Sequence, residues 1–362
     1  DGLDLFNILR TRNYQLVTTI DQFEALTPAD SLVYGLFAEN YLPNDLDRNP
    51  DEVPSLAEMT SQAIKILSAN PNGFFLMVEG SKIDWSAHTN DPVGVITEYL
   101  AFDDAVKEAI DFANRDGYTA VVVAPDHGTG GIRLGNSRSD GNYDVMPIND
   151  LIQPLRACRL TEEGISILIK ANPAETGTIF LENTGIQLTD EEIQHVIDAG
   201  NSTDKYLLPR SVSRLISKKT YVGFNTHGHT GEDVMLAVYH PGNYRPSGVI
   251  KSSALNHYMT EILDTPDLNA LTEARFCIDT VGLKGMDWEM VSSDNARPKL
   301  VIHYEKSANT HAEIVASTDY VTFFKKEKPV KTISLGSVAV FVEPLGHFFI
   351  PRNLGTILPE EF

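Results

Sequence analysis

Three segments of the chain place carboxylates and imidazoles at spacings that suit a metal centre. The first is Glu79-Gly80-Ser81-Lys82-Ile83-Asp84-Trp85-Ser86-Ala87-His88, directly after the apolar run Phe74-Phe75-Leu76-Met77-Val78. The second is Pro125-Asp126-His127, at the end of Ala120-Val121-Val122-Val123-Ala124. The third is Thr226-His227-Gly228-His229-Thr230-Gly231, a Gly-rich turn ahead of another apolar run. Carboxylate oxygen with imidazole nitrogen is a donor mix that zinc accepts. Asp84 and His88 stand at i and i+4, so one helical turn or a compact loop points both at one ion. Asp126 and His127 are adjacent, and extended backbone would send them to opposite sides, toward different ions. Together these segments offer enough ligands for two zinc ions, with an oxygen-preferring magnesium site beside Glu79.

Each element of this set also has a plain structural reading. A lone Asp–His pair is more often a surface hydrogen bond than a ligand pair. Glu79 alone would serve as a helix cap or an ion-pair partner, and His227 and His229 alone as turn residues. Their joint placement after apolar runs favours the metal. His195, His240, His257, His303, His311 and His347 lack such partners and read as structural. Gly128, Gly130 and Gly131 match neither a P-loop nor GxGxxG. They read as a backbone turn that lets Asp126 and His127 reach the metals. Trp85 sits between two ligands, where lining a pocket and packing are equal alternatives.

The elements that must hold these residues alternate. Residues 14–17 and 32–38 read as strands, and 74–78 and 119–124 as buried strands, with a Glu79–His88 loop after the third. Pro54-Ser55 opens a helix that continues through Ile64 and Leu67. Tyr99, Phe102, Val106, Ile110 and Phe112 follow a helical period, closed by Asp116-Gly117. Repeated βα units predict an α/β domain: a doubly wound, mostly parallel sheet with helices on both faces, and sites at the strands' C-terminal edge. This domain is expected over 1–138 and 221–268. Residues 139–220 carry helical patches without strong strands and read as a helical insertion roofing the site. From 269 to 362 short β runs predict a small all-β domain.

Composition narrows the partners. The 362 residues carry a formal charge of -21, which repels nucleic acid and anionic lipid. An anionic substrate would be repelled too, unless bound cations reverse the field locally. Cys158 and Cys277 form neither a disulfide framework nor a thiolate metal site. No apolar run approaches the roughly 18 residues of a membrane span. The opening Asp1-Gly2-Leu3-Asp4 is not a signal peptide and has no initiator Met, so the chain is expected to start inside a longer product or after processing.

Taken together, Glu79-Gly-x-x-Ile-Asp84-x-x-x-His88, Pro125-Asp126-His127-Gly-Thr-Gly-Gly and Gly228-His229-Thr230-Gly231 resemble the alkaline phosphatases in order and spacing. The likeness runs from residue 1 to about 265, including Gly35-Leu36-Phe37-Ala38 with Pro43, and is interrupted by 139–220. It implies Asp84, His88 and His229 on a first zinc, Asp126 and His127 on a second, and Glu79 at a magnesium site. Trp85 falls at a variable position that tends to affect phosphate binding, and His227 is assigned with it to the substrate pocket. The resemblance also implies phosphate monoester substrates, a phosphoserine intermediate, a homodimer, and a periplasmic or extracellular location. One departure stands out. The family's nucleophilic Ser, bridging Asp, magnesium-binding Thr and phosphate-binding Arg lie upstream of the region matched by Asp1. No Asp-Ser-Ala sequence occurs here, and Ser252-Ser253-Ala254 lies after the last ligand. The chain is therefore expected to be the C-terminal part of such an enzyme, inactive alone. Two other readings stay open: a cofactor-independent phosphomutase of the same superfamily, which the Glu79–His88 spacing opposes, and a non-catalytic metal-binding fragment.

Overall fold

The computed structural model describes residues 4–142, 144–265, 268–293, 296–304 and 309–359. They form two units, Asp1–Ser247 and Gly248–Phe362.

The first unit begins with α1 (Leu5–Thr11), β1 (Gln15–Val17), α2 (Ile20–Glu24), β2 (Val33–Gly35) and α3 (Leu56–Leu67). Next come α4 (Ser81–Thr89), α5 (Pro92–Asp116), β3 (Val121–Val123), β4 (Gly128–Thr129) and β5 (Arg133–Leu134). Local chemistry sets the helix ends. Ser55 and Glu58 close a reciprocal capping box at the start of α3, whose Thr60 and Ile64 are buried. Asp91 accepts from the Val93 N–H ahead of α5, Pro92 occupies its first turn, and Gly117 ends it at φ 75°. The stretch expected as a Glu79–His88 loop is instead largely the helix α4, closed by Asn90 in the left-handed region at φ 60°.

The expected parallel sheet is only partly formed. β1 and β2 pair in parallel, whereas β3 pairs antiparallel with β8 (Ala237–Tyr239). Residues 74–78 run without a ladder, and among the described residues their main chain has no hydrogen-bond partner. Phe75 and Met77 are correspondingly 64% and 70% exposed. A run of this kind is apolar because it suits a central strand, but a strand is defined by its neighbours. Among the described residues it has none here.

Five helices follow: α6 (Ile148–Arg156), α7 (Glu162–Ala171), α8 (Thr176–Thr184), α9 (Asp190–Gly200) and α10 (Leu207–Lys219). Ile165, Ile169, Phe180, Val196, Val212 and Ile216 form their buried core, which includes Val93 of α5. The N-terminus of α7 seats on two carboxylates. Asp47 accepts from the N–H groups of Thr161 and Gly164 at 2.8 and 3.1 Å, and Asp91 from that of Glu162 at 2.9 Å. Acidic groups at a helix N-terminus satisfy its free N–H groups and meet its positive dipole end. β6 (Val222–Gly223) then pairs with β5, and β7 (His229–Thr230) with β4.

The second unit opens with the helix Ala254–Ile262 and is built around a seven-stranded antiparallel sheet. Its strands are β9 (Phe276–Ile278), β10 (Asp287–Ser293), β11 (Ala296–His303), β12 (Thr310–Val315), β13 (Thr318–Lys325), β14 (Lys328–Val342) and β15 (His347–Pro351). Their spatial order is β10-β11-β12-β13-β14-β15-β9. On β12, Thr310, Ala312 and Ile314 are buried while the alternate residues are partly exposed, the two-residue period of a half-buried strand. Leu300, Ile314, Phe323, Phe348 and Ile350 are fully buried in its core.

Candidate metal centre

α4 supplies two of the residues that converge. Asp84 in its first turn and His88 in its last lie one helical repeat apart, with His88 Nε2 3.4 Å from Asp84 Oδ2. β7 brings the third. One ligand atom from each of Asp84, His88 and His229 lies within 4.8 Å of the others, the only group of three such residues among those described. Two imidazole nitrogens and a carboxylate oxygen are three of the four ligands that zinc takes in its tetrahedral sites. The donor set therefore fits zinc, with a position left for another ligand.

Hydrogen bonds orient the donors. His88 Nδ1 faces the main-chain carbonyl oxygen of His227 at 2.5 Å, an acceptor, so this nitrogen is the donor and Nε2 is the ring nitrogen turned toward Asp84. The Thr129 hydroxyl donates to Asp84 Oδ1 at 2.7 Å and lies 3.1 Å from His127 Nδ1. Since that hydroxyl proton is used on Asp84, His127 Nδ1 is the donor toward it. The His127 ring stacks on His229 with centroids 3.7 Å apart, and His88 lies 5.2 Å from His229.

The turn between β4 and β5 makes this approach possible. Gly130 has φ 75°, and a Cβ there would stand 2.9 Å from the Ala87 carbonyl oxygen and 3.1 Å from the Phe224 ring. A Cβ on Gly128 would stand 2.6 Å from Thr230 Oγ1 and closer still to Glu232. Only glycine lets the 126–131 turn lie so close to α4 and β7.

The remaining sequence candidates sit around this group rather than in it. Asp126 projects into solvent, with Oδ2 3.2 Å from His127 Nε2. Glu79, at the end of the unpaired 74–78 run, is exposed. It lines a cavity of about 250 Å³ with Tyr41, Arg48, Lys82, Trp85 and Glu98. Trp85 meets Tyr41 edge-on at 5.2 Å, and Lys82 Nζ lies 4.5 Å from the Tyr41 ring and 2.7 Å from Glu163. The His227 imidazole has its partners within the protein, on the end of α4. Burial pushes Glu98 up to about 7. Thr129 and Asn90, which orient ligands and loop, were not site candidates in the sequence, although Thr129 lies inside the Asp126-His127-Gly-Thr-Gly-Gly motif.

The alkaline phosphatase family profile matches residues 1–265, and the chain belongs to that family. Alkaline phosphatase 3 of Bacillus subtilis is 38% identical over 237 residues, which are 65% of this chain and 49% of that protein. The chain thus spans about half the length of the curated relatives it matches. Among solved structures, a cold-active alkaline phosphatase from Shewanella sp. matches with a TM-score of 0.62 and 26% identity, over 73% of this chain and 62% of that one. The Thermus thermophilus alkaline phosphatase matches with a TM-score of 0.64 at 24% identity, over 74% and 59%, a likeness of fold.

Proposed function

We propose that the first unit holds the metal-binding part of a phosphate monoesterase. The observation that carries this is the convergence of Asp84, His88 and His229, from α4 and β7, in a chain of the alkaline phosphatase family. Asp84, His88 and His229 hold one zinc, Asp126 and His127 a second, and Glu79 a magnesium. When bound, these ions supply Lewis acidity to the oxygens of an in-line phosphoryl displacement.

The protein's own groups position and orient. Thr129 fixes the Asp84 carboxylate, and the His227 carbonyl fixes the tautomer of His88. The Gly128–Gly131 turn keeps the rim narrow enough for His127 to stack on His229. The nucleophilic Ser that would carry the phosphoryl group is contributed by polypeptide outside these 362 residues, since no Asp-Ser-Ala sequence occurs within them. An exported homodimer belongs to the same reading and rests on the family likeness alone.

The test is elemental analysis with an aryl phosphate assay on the 362-residue chain supplied with zinc and magnesium. About two zinc ions per chain are expected, lost in a His88→Ala, His127→Ala double variant, with no turnover at an enzymatic rate. Zinc retained by the double variant overturns the ligand assignment. Turnover by this chain matching that of a complete family member places the nucleophile inside it.

A further inference from the structure

His88 and His227 clasp one another. His88 Nδ1 lies 2.5 Å from the His227 carbonyl oxygen, and His227 Nδ1 lies 2.9 Å from the His88 carbonyl oxygen. The second contact has its own logic. His88 is in the last turn of α4, where carbonyls have no partner within the helix. The neighbouring carbonyls are met from outside the regular helix: Ala87 O accepts from Asn90 N–H at 3.1 Å and Ser86 O from Asp91 N–H at 2.9 Å. His88 O is met by the imidazole of His227. A side-chain donor at the negative end of a helix is favourable in both hydrogen bonding and charge.

Asn90 reinforces the same joint. With its amide nitrogen turned toward the carbonyls, it donates to Ala87 O at 2.9 Å and Thr226 O at 2.7 Å, and its oxygen accepts from His227 Nδ1 at 3.3 Å. The loop that delivers His229 is therefore tied to the helix that delivers Asp84 and His88. His227 is exposed, so packing does not require an imidazole there. The side chain's contribution is the N–H that it aims at α4.

We propose that His227 is a positioning residue for the metal centre: its side chain closes the clasp that presets His88, with Nδ1 protonated and Nε2 presented toward Asp84 and His229. The His227 carbonyl selects the tautomer, and the imidazole holds that carbonyl in place. The proposal rests on the metal-binding reading above for its consequence, though the clasp itself exists without metal.

Three variants of the full chain separate this role from simple packing. His227→Ala removes the donor. His227→Asn restores an N–H near the position of Nδ1, and His227→Gln extends it past the carbonyl. Two readouts are taken. Zinc affinity, measured by competition with a chromophoric chelator, is expected to fall about 10–100-fold in the Ala and Gln variants and to recover in Asn, the range for lost outer-shell partners. In metal-free protein, nitrogen NMR of the His88 ring should show a single Nδ1–H tautomer in the parent and the Asn variant, and an averaged or mixed signal in Ala. Unchanged zinc affinity and an unchanged His88 tautomer in His227→Ala overturn the proposal. So does an Asn variant as impaired as Ala. If the parent chain binds no zinc but the tautomer pattern holds, the metal reading fails while the clasp stands.

Discussion

Asp84 and His127, 43 residues apart in the chain, are joined through one hydroxyl. Thr129 Oγ1 donates to the Asp84 carboxylate at 2.7 Å and accepts from His127 Nδ1 at 3.1 Å. One proton thus orients a carboxylate on α4 and selects the tautomer of an imidazole in the following turn. Second partners of this kind govern how well a metal ligand is presented.

Thr129→Val removes the hydroxyl with little change in shape. Zinc affinity should drop about 10–100-fold by chelator competition, while far-ultraviolet circular dichroism stays the same. Thr129→Ser, which keeps the hydroxyl, should stay near the parent. A Val variant that binds zinc as tightly as the parent would remove the hydroxyl from the site.

Gly130→Ala tests the turn. The new Cβ meets a main-chain oxygen at 2.9 Å in a left-handed backbone, so something must shift. A stability loss of about 1–3 kcal/mol is expected in chemical denaturation of the first unit. Zinc affinity should fall in parallel, because the displaced turn carries His127.

The joint between α5 and α7 should respond to pH. Burial raises Glu162 from 4.5 to about 8, with Asp91 next to it adding repulsion, and burial raises Asp91 from 3.8 to about 6. In both cases the folded state holds a proton that the unfolded chain has released. Their stabilisation is complete below the unfolded values and is lost as pH rises toward about 6 for Asp91 and about 8 for Glu162. Denaturation midpoints measured from pH 5 to 9 should therefore decline. Glu162→Gln, permanently neutral, should flatten the part of the decline nearest pH 8, and an identical slope would show that Glu162 does not carry it.

Glu79→Gln bears on the magnesium assignment. An all-oxygen ligand matters most to the harder ion, so magnesium binding should be lost while zinc is largely retained. Isothermal titration with each metal distinguishes the two, and loss of zinc with magnesium unchanged would reverse the roles.

Asp84, His88 and His229, which converge, were candidates in the sequence because Asp84 and His88 follow an apolar run at a ligand spacing and His229 lies in a Gly-rich turn ahead of one. Asp84 and His88 at i and i+4 needed only one helix to meet, although the segment read as a loop was the helix α4. The strands of the second unit were legible for a similar local reason, as short β runs. The sheet of the first unit was not. The run 74–78 has the composition of a central strand, yet pairing depends on segments that composition does not specify, and here it has none among the described residues.

What the sequence determined by itself was the chemistry on offer: carboxylates and imidazoles, the glycines beside them, and the family pattern that links them. Which of those groups share a site was decided only by tertiary structure. The antiparallel pairing of β4 with β7 sets Thr129 opposite His229, and so brings residues 100 positions apart in the chain into one register. The roles of Thr129, Asn90 and His227 emerge only there. Each acts through a directed hydrogen bond to a group distant in sequence, and a hydrogen bond exists only when the fold has fixed the distance and angle between its partners.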